Sequence, residues 1–134
     1  MTRRGIALLA AVAVAAAGGC SGRTGETTTV ELTMRHSRFD PEVIEAEPGQ
    51  AIRFVVRNLD PIDHELIVGP PAVQRRHEDG REGHHHGTIP GEVTVPAGTV
   101  RATTYTVGRS GEVPFGCHLP GHWAYGMRGV VRVG

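Results

Sequence analysis

Phe115-Gly-Cys117-His118-Leu-Pro-Gly-His122-Trp-Ala-Tyr-Gly-Met127 carries a thiol, an imidazole and a thioether at the spacing Cys-x4-His-x4-Met. Pro120-Gly121 predicts a tight turn that returns His122 toward Cys117. A soft thiolate, a borderline imidazole and a weak thioether suit copper held as both Cu(I) and Cu(II). A second imidazole would complete a His₂Cys trigonal set with a long axial Met, the donor set of a type 1, or blue-copper, site. His64, which opens the run His64-Glu-Leu-Ile-Val68, is the candidate. Zinc also accepts thiolate and imidazole but needs no thioether, so Met127 favours copper. Taken singly, a buried thiol, a turn histidine, a strand-end histidine and a core methionine are ordinary. Their combination is what carries the reading.

Strands must position these residues. Thr28–His36 alternates, with Val30, Leu32 and Met34 on one face. Phe39-Asp-Pro41 predicts a turn, Glu42–Ala46 a short strand and Glu47-Pro-Gly-Gln50 a second turn. Strands are expected at Ala51–Asn58 and His64–Val68 on either side of the loop Leu59–Asp63. Further strands are expected at Glu92–Val95, Val100–Val107 (alternating around Ala102, Thr104 and Thr106), Val113–Cys117 and Gly129–Val133, with a turn at Ser110-Gly-Glu112. Seven or eight short strands with frequent turns imply an all-β sandwich or barrel. Residues 69–91 break the pattern with a polar, Gly-, Pro- and His-rich excursion, in which Ala72–Asp79 could form one or two helical turns. The His-rich tract makes His77, His84, His85 and His86 candidates for an accessory copper or zinc site; a solvated loop is the plainer reading.

The 134 residues leave room for one domain, and a net charge of zero gives no pull toward nucleic acid. Arg3-Arg4 followed by the apolar run Ile6–Ala17 reads as an export signal over residues 1–20, too short to span a membrane. Ala17-Gly-Gly-Cys20 resembles the end of a bacterial lipoprotein signal, although Ala17 stands where that pattern usually has Leu. The resemblance implies a lipidated Cys20, a polar tether over 21–28 and a domain over 29–134 on the extracytoplasmic face of the cell membrane. Cys117 then has no thiol partner in an oxidising compartment, which suits a sulfur that is buried or metal-bound.

The Cys117–Met127 loop, the Asn58…His64 segment and the Phe39-Asp-Pro…Glu47-Pro-Gly49 opening resemble the cupredoxin family of plastocyanins and azurins. The likeness covers most of 29–134 and implies a Greek-key cupredoxin β-sandwich holding one type 1 copper through His64, Cys117, His122 and Met127. The His-rich excursion departs from the family pattern. The implied function is one-electron transfer between redox protein partners by a monomer that is not an enzyme. A copper-binding or delivery protein without redox turnover is the rival, supported by His77 and His84–His86. The apolar loop residues Leu119, Pro120 and Trp123 form a candidate docking face through which His122 would pass the electron; filling the loop's underside is their plainer role. Cys117-His118 also resembles part of the multicopper-oxidase motif. The other His-x-His pairs of those enzymes are absent, apart from His84 and His86, and Gly116 stands where they carry His. His118 is therefore expected to face outward or to lie behind the ligands.

Overall fold

The computed structural model describes residues 26–78 and 85–134. The expected export signal, Cys20 and His84 lie outside the described residues. Among the described residues no helix is long and apolar enough to cross a membrane.

Alternating apolar residues put the chain into strands that each offer one face to a shared core. β1 (Thr28–Arg35), β2 (Arg38–Asp40), β4 (Ala51–Asn58) and β7 (Val100–Thr106) form one sheet, ordered β2-β1-β4-β7. β3 (Val43–Ala46), β5 (His64–Val68), β6 (Glu92–Val95), β8 (Gly111–Gly116) and β9 (Arg128–Val133) form the second, ordered β3-β9-β8-β5-β6. Leu32, Met34, Ile52, Phe54 and Val56 of the first sheet meet Leu66, Val68, Val93, Val95, Phe115 and Val131 of the second. Each such side chain, fully buried, contributes about 1.5–3 kcal/mol from the area it removes from water.

Three details differ from the expectations. Phe39 and Asp40 pair with Met34 and Thr33 as β2, so part of the predicted turn is strand. Gly111 and Glu112 pair with Val133 and Arg132, extending β8 into another predicted turn. In β7 the buried residue is Thr103, opposite Phe54, with half-buried Tyr105 opposite Ile52 on the same side, while Thr104 and Thr106 of the expected alternation are exposed. A run of Thr gives no apolar alternation, so only the pairing with β4 decides which face is inside.

The described part of the excursion covers a sheet face. All five residues of β5 are buried, although pleating sends Leu66 and Val68 into the core and Glu65 and Ile67 to the opposite face. That second face lies beneath α1 (Pro71–His77), which starts with Pro71 in the first turn, where the missing N–H costs nothing. Gln74 fastens α1 down. Its amide donates toward the carbonyls of Ile67, Gly69 and Pro114 at 3.0–3.2 Å, spanning α1, β5 and β8.

Candidate metal centre

β5 and β8 are antiparallel neighbours, with Ile67 opposite Gly116 and Val68 opposite Phe115. The start of β5 therefore lies beside the residues that leave β8, and His64 and Cys117 come from adjacent strand ends. After Cys117 the chain makes a turn in which His122 N–H donates to Leu119 O at 2.9 Å. Pro120 and Gly121 (φ 85°) fill its central positions, the arrangement of a type II turn. A single helical turn, α2 (His122–Tyr125), follows and ends at Gly126 (φ 103°).

This route returns His122 Nδ1 to 3.3 Å from Cys117 Sγ and 3.2 Å from His64 Nδ1. The three ligand atoms all lie within 4.8 Å of one another. Metal bonds of ~2.0–2.3 Å opening at trigonal or tetrahedral angles set neighbouring donors ~3.3–3.7 Å apart. The spacing is thus close to what one small ion requires. His64 and Cys117 are fully buried and His122 is half-buried, so His122 is the member of the trio nearest to solvent.

Residues 25–134 match the family described as copper binding proteins, plastocyanin/azurin family. The chain belongs to this family. The copper-resistant cuproprotein CopI of Rubrivivax gelatinosus is 32% identical to this cupredoxin over 119 residues, covering 84% of this chain and 72% of that protein. Reduced auracyanin from the photosynthetic bacterium Roseiflexus castenholzii has the same fold, with a TM-score of 0.67 at 23% identity over 80% of this chain and 97% of that one. Auracyanin A of Chloroflexus aurantiacus gives a TM-score of 0.66 at 18% identity, over 81% of this chain and all of that one (100%).

A carboxylate that the sequence reading passed over sets the orientation of His64 in this cupredoxin. His64 Nε2 is 2.8 Å from Asp60 Oδ2, which leaves Nδ1 to face Cys117 and His122. Asp60 also accepts the backbone N–H groups of His36 and Ser37 at 2.7 and 2.8 Å. Both have φ 52°, the left-handed conformation that a two-residue type I′ hairpin turn demands. Burial alone would raise the Asp60 carboxyl. The hydrogen bonds from Ser37, His36 and His64, together with the attraction of the His64 ring, outweigh it and hold the group below the usual carboxylate range. Asp60 therefore stays ionised at neutral pH.

Asn58 braces the same loop. Its side-chain amide donates to Ile62 O at 2.8 Å and Val95 O at 2.9 Å, and its carbonyl accepts Asp60 N–H at 2.9 Å. Asn58→Ala breaks all three and leaves buried groups unpaired, which should lower stability by about 2–4 kcal/mol. Urea unfolding of the metal-free chain checks this; an unshifted midpoint would remove Asn58 from the support of the site.

Burial pushes the Cys117 thiol up to about 12, with backbone hydrogen bonds offsetting only part of the effect. Burial, and then the neighbouring His64 ring, hold His122 below the ordinary imidazole value. A buried thiol between two imidazoles suits a cation that stabilises the thiolate, so the donor set fits copper. Met127 is fully buried and tied to both loop ligands: it accepts Cys117 N–H at 3.1 Å and donates its own N–H to His122 O at 3.0 Å.

The remaining candidates separate. Pro120 is exposed, whereas Leu119 is half-buried against the core. Trp123 lies flat over His118, with ring centroids 4.6 Å apart and planes 13° apart. It also covers Gly116, where a Cβ would come within 2.3 Å of the indole, so the bare glycine makes room for the ring. Leu59 and Ile62, in the loop carrying Asp60, are exposed apolar residues absent from the sequence-based docking set. Of the accessory histidines, His77 and His85 meet, joined by Glu92, while His86 is exposed. His118 is on the opposite sheet face from Cys117, yet buried. Glu65 and Glu92, both buried, gave no sequence signal, because a charged residue at an alternating strand position normally reads as solvent-facing.

Proposed function

We propose that this cupredoxin carries single electrons through one type 1 copper held by His64, Cys117 and His122, with Met127 as axial donor. The observation that supports the reading is the closeness of the three donors before any ion is considered, at 3.2 and 3.3 Å across His122. Copper supplies the one-electron Cu(II)/Cu(I) couple. The chain supplies a rigid cage: Asp60 fixes the His64 ring, the type II turn fixes His122, and β8 fixes Cys117. Donors that barely move between oxidation states keep the reorganisation on electron transfer small. His122, half-buried behind exposed Pro120, is the exit route, and Pro120, Leu119 and Trp123 with Leu59 and Ile62 form the docking face for a redox protein. The reading is of a carrier, not an enzyme. It keeps the expectation of export and a lipid at Cys20, which rests on residues 1–20 alone.

A second reading has its own support: the relative from Rubrivivax gelatinosus is named a copper-resistant cuproprotein. On that reading the site binds or delivers copper during copper stress, without redox turnover. Electron self-exchange of the copper-loaded chain separates the two. A carrier exchanges fast, and Pro120→Arg slows it by placing like charges at the encounter face while leaving the visible spectrum unchanged. Slow exchange combined with transfer of copper to an apo-acceptor would establish the second reading and remove the first.

A further inference from the structure

Pleating sorts the residues around the copper candidate onto two faces. His64 and Cys117 serve one, while the next residues along the chain, Glu65 and His118, turn to the other. There Glu65 Oε1 accepts the backbone N–H of His118 at 2.9 Å. On that face, beneath the excursion, three further donors converge. His77 from the last turn of α1, His85 and Glu92 from the first position of β6 place their ligand atoms within 4.8 Å of one another.

The contacts show how each donor is held. His77 Nδ1 donates to Val73 O at 2.9 Å, which turns Nε2 toward Glu92 Oε2 at 3.4 Å. His85 Nδ1 lies 3.3 Å from the same oxygen, and His85 Nε2 is 3.9 Å from Glu65 Oε2. Two hydrogen bonds pin the His85 backbone to Thr94: its N–H donates to Thr94 Oγ1 at 2.8 Å, and its carbonyl accepts Thr94 N–H at 2.7 Å. Glu92 Oε1 is occupied by Arg76 at 2.6 Å, which turns Oε2 toward the two rings. Glu92 is 2% exposed and its Oε2 has no hydrogen-bond partner among the described residues; neither does His85 Nε2.

A buried carboxylate oxygen without a hydrogen-bond partner is costly, and burial strengthens its attraction for a cation. A divalent ion between Glu92 and the two imidazoles would satisfy it. Bonds of ~2.0–2.2 Å at a tetrahedral angle set neighbouring donors ~3.3–3.6 Å apart, which is the spacing seen around Glu92 Oε2. We propose that His77, His85 and Glu92 form a second metal-binding site, for a divalent ion of the copper–zinc class, on the sheet face opposite the copper centre. Two imidazoles and a carboxylate are a zinc or Cu(II) donor set and lack the thiolate and thioether that stabilise Cu(I). The bound ion clips His77 of α1 and His85 to β6. Glu65 and His118 border the site, and each is one peptide bond from a copper donor.

The full chain, first loaded with one copper, is titrated with Zn(II) by calorimetry, with bound metal counted by elemental analysis. One zinc per chain is expected in addition to the copper. Glu92→Gln and His85→Ala should weaken this zinc by more than the ~10–100-fold that outer-shell changes cause, with the thiolate-to-copper band retained as evidence of folding. His86→Ala should leave it unchanged. Cys117→Ser should lose the copper centre yet keep the zinc, which separates this site from the first. Co(II) in place of zinc should give the intense d–d bands of a four-coordinate ion without needing any variant. Absence of a second equivalent, undiminished zinc affinity in both variants, or a six-coordinate cobalt spectrum would each overturn the proposal.

Discussion

Cys117→Ser yields a folded chain without the intense visible band of a thiolate–copper bond. The sulfur is the softest of the proposed donors and the source of that charge-transfer absorption; a serine hydroxyl supplies neither softness nor negative charge at neutral pH. The side chain is fully buried next to His122 Nδ1, so water has little room to replace it. Copper affinity should fall by more than the ~10–100-fold associated with losing an outer-shell partner, because a direct donor is gone. The metal-free variant should lose only about 1–3 kcal/mol, the penalty for a buried hydroxyl with an imperfect partner. Optical and EPR spectra of the two chains, with equal copper added, decide the matter. A serine variant with the wild-type spectrum would show that Cys117 is not the donor, and the proposed centre would fall.

Copper(II) affinity should also rise about tenfold per pH unit between pH 7 and 9. The sign follows from proton balance. The free thiol is pushed up to about 12 by burial, so across this window it binds a proton, whereas the copper-bound sulfur does not. Binding therefore releases one proton, and raising the pH favours the bound form. His122 adds no proton to this balance in the window, since burial and the His64 ring hold its titration below the ordinary imidazole range. Competition titrations against a chelator whose own pH dependence is known give the slope. A pH-independent affinity would mean that the metal-free site already holds a thiolate.

Asp60 follows the opposite rule. Its carboxyl titrates lower in the folded chain than in the unfolded one, so its contribution to stability is complete above the unfolded value. That contribution fades as pH falls through the folded value. Acid should therefore release His64 and the His36–Ser37 turn together, because Asp60 holds both.

The loop donors were legible because they are local. Cys117, His122 and Met127 sit within one strand end, one type II turn and one helical turn, and the Pro-Gly pair that shapes the turn is written between them. The strand edges blurred where side chains gave no contrast, as at Thr103–Thr104 and at Gly111–Glu112. Asp60 gave no signal because its partners, His36 and Ser37, are distant in sequence and offer only backbone N–H groups. Gln74, Glu65 and Glu92 gave no signal, since polar side chains on a helix or at alternating strand positions usually face water.

By itself the amino-acid order determined the donor types, their spacing, the turn between them and the all-β class, all properties of short stretches and of apolar period; the choice of a two-sheet sandwich over a barrel came from the family resemblance. The tertiary structure alone decided that β5 is buried on both faces. Alternation tells which residues share a side of a strand; it cannot tell what covers that side. Packing α1 over Glu65 and Glu92 brings His77 and His85, from an apparently solvated excursion, into a buried cluster of donors with Glu92, because burial removes the water that would otherwise satisfy them.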